Sequence, residues 1–281
     1  MNNEHLKIRR KIMMSKPTLL MAFSGWMDGG DVSTGTINYL VDKYEAFKCA
    51  NIEPEPFYLY NFPGSMEISS LFRPEIRIRD GIIHNFEPPE SSFFCAQEQN
   101  MLLFTGKEPN LNWTDYCDTI IAFCKDNDVQ NIYFIGSVAG LTPHTREPRF
   151  SFATNSTTKK QELIKLGIRP INYEGPGSIV TMLSSKIVCE KVDMVTIVAE
   201  IPSYVQGYNP RCVEAAIRCI ARLTDKRLDI SELRSVSEEF DKKVKELVLN
   251  QPELSEKVKE LEEEYARQEF DAQIDDLTNM L

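Results

Sequence analysis

Three histidines in 281 residues restrict the acid–base chemistry open to this chain. His5 stands near the start and His84 just beyond an Asp-Gly pair. His144 lies in Gly140-Leu-Thr-Pro-His-Thr-Arg146, directly after the apolar run 132–136. In open α/β sheets, ligands collect beyond the carboxyl ends of strands. His144 with Arg146 two residues on has the chemistry to hold an anion or pass a proton. The same position equally suits a histidine whose ring serves the geometry of its own loop. Gly136-Ser-Val-Ala-Gly140 has the letters of a nucleophile elbow, but its serine is one place early, so a strained turn would present Val138. Neither a Walker A loop nor a dinucleotide fingerprint occurs in the chain.

Two glycine-rich stretches could carry binding chemistry. Ser24-Gly-Trp-Met-Asp-Gly-Gly30 follows the apolar run 19–23 and precedes a helical pattern, so its glycines could aim helix N–H groups at an anion. Asp28 and Asp31 place negative charge in the same mouth, and either could instead cap the helix. Tyr173-Glu-Gly-Pro-Gly-Ser178 also precedes a helical pattern, but Pro176 removes one amide donor. Cys117 and Cys124 are seven apart, as are Cys212 and Cys219. That is two helical turns, about 10 Å along the axis, a spacing for core packing and not for ligands of one metal. No metal and no cofactor is expected.

These residues need elements to position them. Runs 19–23, 57–60, 101–105, 132–136 and 194–199 read as buried strands, near-continuously apolar as in a parallel sheet. Segments 32–44, 113–127, 158–166, 178–191 and 210–223 read as helices, with Asp31 as a cap for the first and Gly167 as a left-handed close to the third. Residues 76–83 read as a hairpin on Asp80-Gly81. Strands alternating with helices predict an α/β fold: one domain over residues 17–228, with a mostly parallel central sheet covered by helices.

Residues 229–281 form a different region, an acidic helical extension. Asp229-Ile-Ser-Glu232 has the spacing of a capping box. Leu233, Val236, Phe240, Val244 and Leu247 then mark one apolar stripe, with charged outer faces. Pro252 suits a first helical turn, and Leu254, Val258, Leu261 and Tyr265 mark a second stripe. From Thr224 onward there are 17 acids and 9 bases, which leaves 25 acids and 23 bases before it, so most of the net charge of −10 belongs to this region. No basic stripe is present, and nucleic acid is not expected as a partner. Residues 18–23 are too short for the apolar core of a signal peptide, and no apolar run approaches the roughly 18 residues that cross a bilayer. Seven cysteines, an odd number without the density of a disulfide scaffold, suit reduced thiols in a cytoplasm.

Four ordered motifs together resemble the proteasome assembly chaperone 2 family: Gly25-Trp-Met-Asp-Gly-Gly30, the Gly140–Arg146 loop, Tyr173-Glu-Gly-Pro176, and Ile201-Pro-Ser-Tyr-Val-Gln-Gly-Tyr-Asn-Pro210. The similarity spans residues 17–223, and the acidic tail around Leu261-Glu-Glu-Glu-Tyr265 is also similar to prokaryotic members. The resemblance implies a nucleoside-phosphorylase-like fold, a homo-oligomer (often a trimer) and a proteasome or other protein partner. Some family chaperones dock by a C-terminal hydrophobic-Tyr-any tripeptide. Here Met280 stands at the tyrosine's place, so partner contact is expected not to need the last three residues. A non-catalytic assembly protein is thus expected; the alternative is a phosphorylase-like enzyme or nucleotide binder using the loops at the strand ends. Trp26, Asp28, His144, Arg146, Tyr173 and Glu174 are the candidate binding residues. Parallel strands would gather their loops at one sheet edge, with His144 and Arg146 as positive partners for Asp28 and Glu174.

Overall fold

The structure, a computed structural model, describes residues 4–279, the side chains of 272–273 and 275–279 excepted. In chain order the strands are β1 (Leu6–Ile8), β2 (Thr18–Ser24), β3 (Phe47–Ile52), β4 (Glu75–Arg79), β5 (Ile82–Glu87), β6 (Ser91–Ala96), β7 (Met101–Lys107), β8 (Asn131–Gly140), β9 (Arg149–Thr154), β10 (Arg169–Pro170) and β11 (Asp193–Pro202). The helices are α1 (Val32–Lys43), α2 (Met66–Ser70), α3 (Trp113–Asp126), α4 (Thr157–Lys165), α5 (Ile179–Ile187), α6 (Pro210–Thr224), α7 (Ser231–Leu249) and α8 (Pro252–Asn279). Nine strands form one sheet in the order β1-β3-β6-β7-β2-β8-β11-β9-β10, and β4 pairs with β5 alone. The expected α/β fold with helices covering a central sheet is present.

By contact the chain divides into two compact units. The described parts of Met1–Trp26, Ile37–Ile135 and Phe152–Ile197 form the first; those of Met27–Thr36, Gly136–Ser151 and Val198–Leu281 form the second. In the first unit, β2 runs parallel to both β7 and β8. Its Leu19–Phe23 stretch is buried throughout, as a strand covered on both faces must be. On the other side of β7 the sheet turns antiparallel through β6, β3 and β1. Phe93 stacks on Phe123 at 3.8 Å between ring centroids, and Phe57 meets Tyr116 edge-on at 5.0 Å. The wholly buried Tyr116 hydroxyl is satisfied by Ser91 Oγ at 2.6 Å. Cys117 and Cys124 lie on the buried face of α3.

One expected strand is absent. Residues 57–60 lie outside any strand: Phe57 ends a turn in which its N–H donates to Pro54 carbonyl, while Phe57 carbonyl accepts from Asn110 and Leu111 N–H. Phe57 is buried, but its backbone is satisfied by loops and needs no ladder.

The second unit gathers α6, α7 and α8, and no described residue after Asp229 is in a strand. Pro252 opens α8 as expected. The capping box does not form: Asp229 Oδ1 accepts from Ser231 N at 3.0 Å, in a local turn before the helix, and the α7 N-cap residue Ile230 makes no side-chain cap bond. The apolar stripe of α7 is also phased differently. Leu233, Ser237, Val244 and Val248 are buried, while Val236 and Leu247 are exposed. Steps of four, seven and four follow a 3.6-residue period, and the Val236–Leu247 pair falls off that line. Val244 and Val248 pack with Val258 of α8, flanked by Tyr204, Phe240 and Leu254.

Candidate functional site

The first unit carries an open cleft of about 510 Å³ at the carboxyl ends of β2 and β7. Its walls include Trp26, Phe62, Phe72, Glu108, Trp113 and Pro176. Gly25 begins the loop at φ +134°, where a side chain is strained, and an added Cβ would lie 3.2 Å from Glu108. That closeness lets Glu108 reach across the cleft floor. Its Oε2 accepts from Trp26 N–H at 3.2 Å, and its Oε1 accepts from Ile179 N–H at 3.5 Å, at the first residue of α5. A carboxylate of the chain itself therefore sits where a helix N-terminus would draw an anionic ligand. Ser178 caps the same helix through Thr181 N–H. Trp113 is fixed by its indole N–H on Pro109 carbonyl at 2.8 Å, while Trp26 stays exposed.

The other first-unit candidates belong to the surface loop before α5. Tyr173 folds its hydroxyl back onto Pro176 carbonyl at 3.1 Å, over Gly175, where a Cβ would lie 2.6 Å from that hydroxyl. Glu174 is exposed.

In the second unit, Asp28 acts as the cap of α1. Thr34 N–H donates to its Oδ1 at 3.0 Å and Thr34 O–H to its Oδ2 at 2.7 Å. Burial pushes the Asp28 carboxyl above the ordinary aspartate value, and the Thr34 bonds pull against that rise. Asp31, also considered for this role, is exposed at φ +50°. Ser137 is wholly buried and donates its hydroxyl to Gly29 carbonyl at 2.8 Å, a structural serine as its misplaced motif required.

His144 is buried and bound to Tyr204. Tyr204 oxygen accepts from His144 N–H at 2.8 Å and lies 2.7 Å from Nδ1. Either atom of the Nδ1–Tyr204 contact can be the donor, and Nε2 is buried with no hydrogen-bond partner among the described residues. Burial lowers the His144 pKa; Asp241 and Glu262 pull it back up, and Arg211 and Lys245 push it further down. The ion pairs of this unit centre on Arg211 and Arg218. Arg211 pairs with Asp241 and, at 3.6 Å, with Glu147; Arg218 pairs with Glu147 at 2.7 Å and with Glu214 at 3.4 Å. Arg146 is exposed, and its carbonyl accepts from Arg211 at 3.3 Å. Gly140 leaves room for Glu200, whose Oε1 accepts from Leu141 N–H at 2.5 Å; a Cβ there would fall 2.2 Å from Glu200.

Asp28, Tyr173 and the Nδ1 of His144 thus each bond a neighbour outside the expected set, while His144 Nε2 is buried without a hydrogen-bond partner among the described residues. Glu108, Arg211 and Asp241 are the residues that sequence reasoning passed over, and Tyr204 entered it only within the Ile201–Pro210 motif. Glu108 stood within reach of it, since Lys107-Glu-Pro-Asn110 follows a strand and obeys the carboxyl-end rule. Among the described residues, no group of three or more His, Cys, Asp or Glu is placed to hold a metal ion, and no helix is long and apolar enough to cross a membrane. Met280 and Leu281, on which the tripeptide expectation rests, lie outside the described residues.

A central sheet parallel at β7-β2-β8, helices over it and a helical C-terminus define a particular α/β class. The sequence profile of the PAC2 family matches residues 22–248, and the chain belongs to that family. No curated protein matches it in sequence. Among solved structures it is similar to a Mycobacterium tuberculosis proteasome-assembly chaperone homologue, with 27% identity and a TM-score of 0.75 over 86% of this chain and 99% of that one. A second M. tuberculosis protein, of unknown function, shares the fold at 21% identity and a TM-score of 0.81, over 96% of this chain and 92% of that one. The Pyrococcus furiosus archaeal proteasome activator PbaB shares it at 12% identity and a TM-score of 0.63, over 86% and 97% of the two chains.

Proposed function

We propose that this chain is a non-catalytic, cytoplasmic assembly protein that works as a homo-oligomer, a trimer by family resemblance, on a proteasome or another large protein assembly. Residues 17–228 serve as its body and 229–281 as its helical arm. The observation that carries this reading is Glu108. A phosphorylase-like site needs an anion at a helix N-terminus, and here a carboxylate bonded to Trp26 and Ile179 N–H fills that position and would repel phosphate. The printed descriptions of the M. tuberculosis and P. furiosus relatives, a proteasome-assembly chaperone homologue and a proteasome activator, support the same direction. Trp26, exposed in an aromatic cleft, is the candidate that meets the partner, while Asp28 and His144 hold the fold together.

Titration calorimetry of the full chain with inorganic phosphate and with purine and pyrimidine nucleosides should give no saturable heat. Affinity capture from the chain's own cells should enrich a multi-subunit protein assembly, weakened by Trp26→Ala. Saturable phosphate or nucleoside binding, strengthened by Glu108→Gln as the repelling charge is removed, would instead establish the phosphorylase-like alternative.

A further inference from the structure

Both tryptophans of the chain, Trp26 and Trp113, line the cleft of the first unit, together with Phe62 and Phe72, whose rings stack at 4.9 Å. Four aromatic side chains offer faces for a cation or a flat group. The floor carries a charge as well. Glu108 accepts Trp26 N–H on Oε2 and Ile179 N–H on Oε1, one bond to each oxygen. A carboxylate has about four lone-pair sites, so each oxygen keeps room for a further donor. The two backbone amides hold the group in place for it. Lys107 also lines the cleft, but its Nζ donates to Leu71 carbonyl at 3.0 Å.

We propose that this cleft receives the guanidinium of an arginine side chain presented by a partner protein. The assignment rests on the reading of Trp26 as the partner-facing residue and names the group that Trp26 meets. An anion would meet the Glu108 charge. A neutral apolar group would cover the carboxylate and leave its open lone pairs without donors, a desolvation cost with no return. A divalent cation wants several oxygen ligands, and among the described residues no group of three or more His, Cys, Asp or Glu is placed to hold one. A quaternary ammonium suits the rings but brings no N–H for Glu108. A guanidinium supplies both, a flat face for the rings and a fork of N–H groups with one donor for each carboxylate oxygen. A lysine ammonium is a point charge without the fork. Lys107 offsets the charge of Glu108, so the selection lies in directed bonds and stacking and not in net charge. The openness of the cleft decides the source. Trp26 is 69% exposed, whereas sites for free small molecules bury most of the ligand. An arginine on a partner arrives with protein surface around it to cover Trp26, and tryptophan and arginine are the residues that anchor such contacts.

Since the chain's two tryptophans both line the cleft, tryptophan fluorescence reads the site directly. The full chain is titrated with a capped Gly-Gly-Arg-Gly-Gly peptide and with the same peptide carrying citrulline, which keeps the shape of arginine and loses its charge. The expected result is a saturable change, with affinity for the arginine peptide at least about tenfold higher. Glu108→Gln, which keeps one acceptor oxygen, should abolish that preference while circular dichroism stays unchanged. No saturable change, or equal affinity for the two peptides, overturns the proposal. So does a trimethyllysine peptide that binds more tightly than the arginine one. Should Glu108→Gln fail to fold, the comparison of the two peptides on the wild type decides alone. The source is read from affinity capture on the full chain: the arginine peptide should displace the captured assembly and the citrulline peptide should not. An assembly that Trp26→Ala weakens but the arginine peptide leaves bound overturns the arginine contact and leaves the assembly reading standing. An arginine-selective cleft with no assembly captured overturns the protein source and the assembly reading together.

Discussion

His144 shows what a single buried imidazole contributes here. A protonated ring carries N–H at both nitrogens, so Tyr204 oxygen would accept two N–H groups and the buried Nε2–H would face no partner among the described residues. This agrees with the direction of the shift: burial first, then Arg211 and Lys245, outweigh the attraction of Asp241 and Glu262. A histidine whose folded pKa lies below its unfolded value of 6.5 takes up its proton more readily unfolded. Stability should therefore be complete above about pH 7 and fall as pH drops through 6.5 toward the folded pKa, by at most ~1.4 kcal/mol per pH unit. Asp241 titrates with the opposite sign, because burial raises its pKa, and does so in a lower window near the carboxylate range. Urea unfolding at pH 7.5 and 5.5 checks the assignment. His144→Asn, whose amide oxygen can take the Nδ1 position, should flatten the loss between these two pH values. An undiminished loss would assign the acid sensitivity to another group. The thiols belong to the same scale of argument: burial pushes Cys49, Cys117, Cys124 and Cys212 up to about 12, so they behave as small apolar core groups.

At the scale of elements, the caps decide where helices begin. Asp28 serves Thr34 from four residues before α1, beyond the usual N-cap position, and Asp31 at positive φ does not take that role. Asp28→Ala should cost about 1–2 kcal/mol in urea unfolding, the usual worth of a cap with a second hydrogen bond. Asp28→Asn keeps an acceptor and should cost less than half as much. Equal losses would mean that the negative charge, and not the bonding, is what the site needs. The strands β2, β7, β8 and β11 were legible because burial writes itself as a near-continuous apolar run. β3 and β6 were not: Phe47-Lys-Cys-Ala-Asn-Ile mixes polar and apolar residues, with Asn51 buried because Arg9 Nε donates to it at 2.7 Å. The 57–60 run misled for the converse reason, since aromatic burial there needs no strand pairing. The phase of the α7 stripe was hidden because Val236 and Leu247 are as apolar as the residues that do pack. At the candidate site, which atoms satisfy Asp28 and His144 depends on Thr34 and Tyr204, and no spacing rule reaches from His144 to Tyr204.

For the molecule as a whole, the acidic extension is more than a solvated face. Sequence assigns its carboxylates outward, yet Asp241 pairs with Arg211, Glu262 accepts from Thr145 O–H, and Glu269 lies 3.5 Å from Arg149. Arg149 also donates to Tyr265 carbonyl at 2.9 Å and to Gln268 at 2.5 Å, with its guanidinium 3.7 Å over the Tyr265 ring. Tyr265 O–H returns a bond to Glu147 carbonyl at 3.2 Å. Segment 136–151 and α8 therefore hold each other inside the second unit through polar groups, beside the Val244–Val248–Val258 cluster. Exposed ion pairs are worth little singly, so the apolar contacts of Val258 and Leu261, both buried, should dominate the energy. At roughly 1.5–3 kcal/mol per buried aliphatic side chain, truncation after Gln251 should remove on the order of 3–5 kcal/mol. Urea unfolding followed by far-ultraviolet circular dichroism measures this, with Arg149→Ala as the companion. That variant should lose about 1–2 kcal/mol through the guanidinium's hydrogen bonds and its stacking on Tyr265. A truncated chain with the wild-type midpoint would mean that α8 adds nothing to the fold and that its acids are free for a partner.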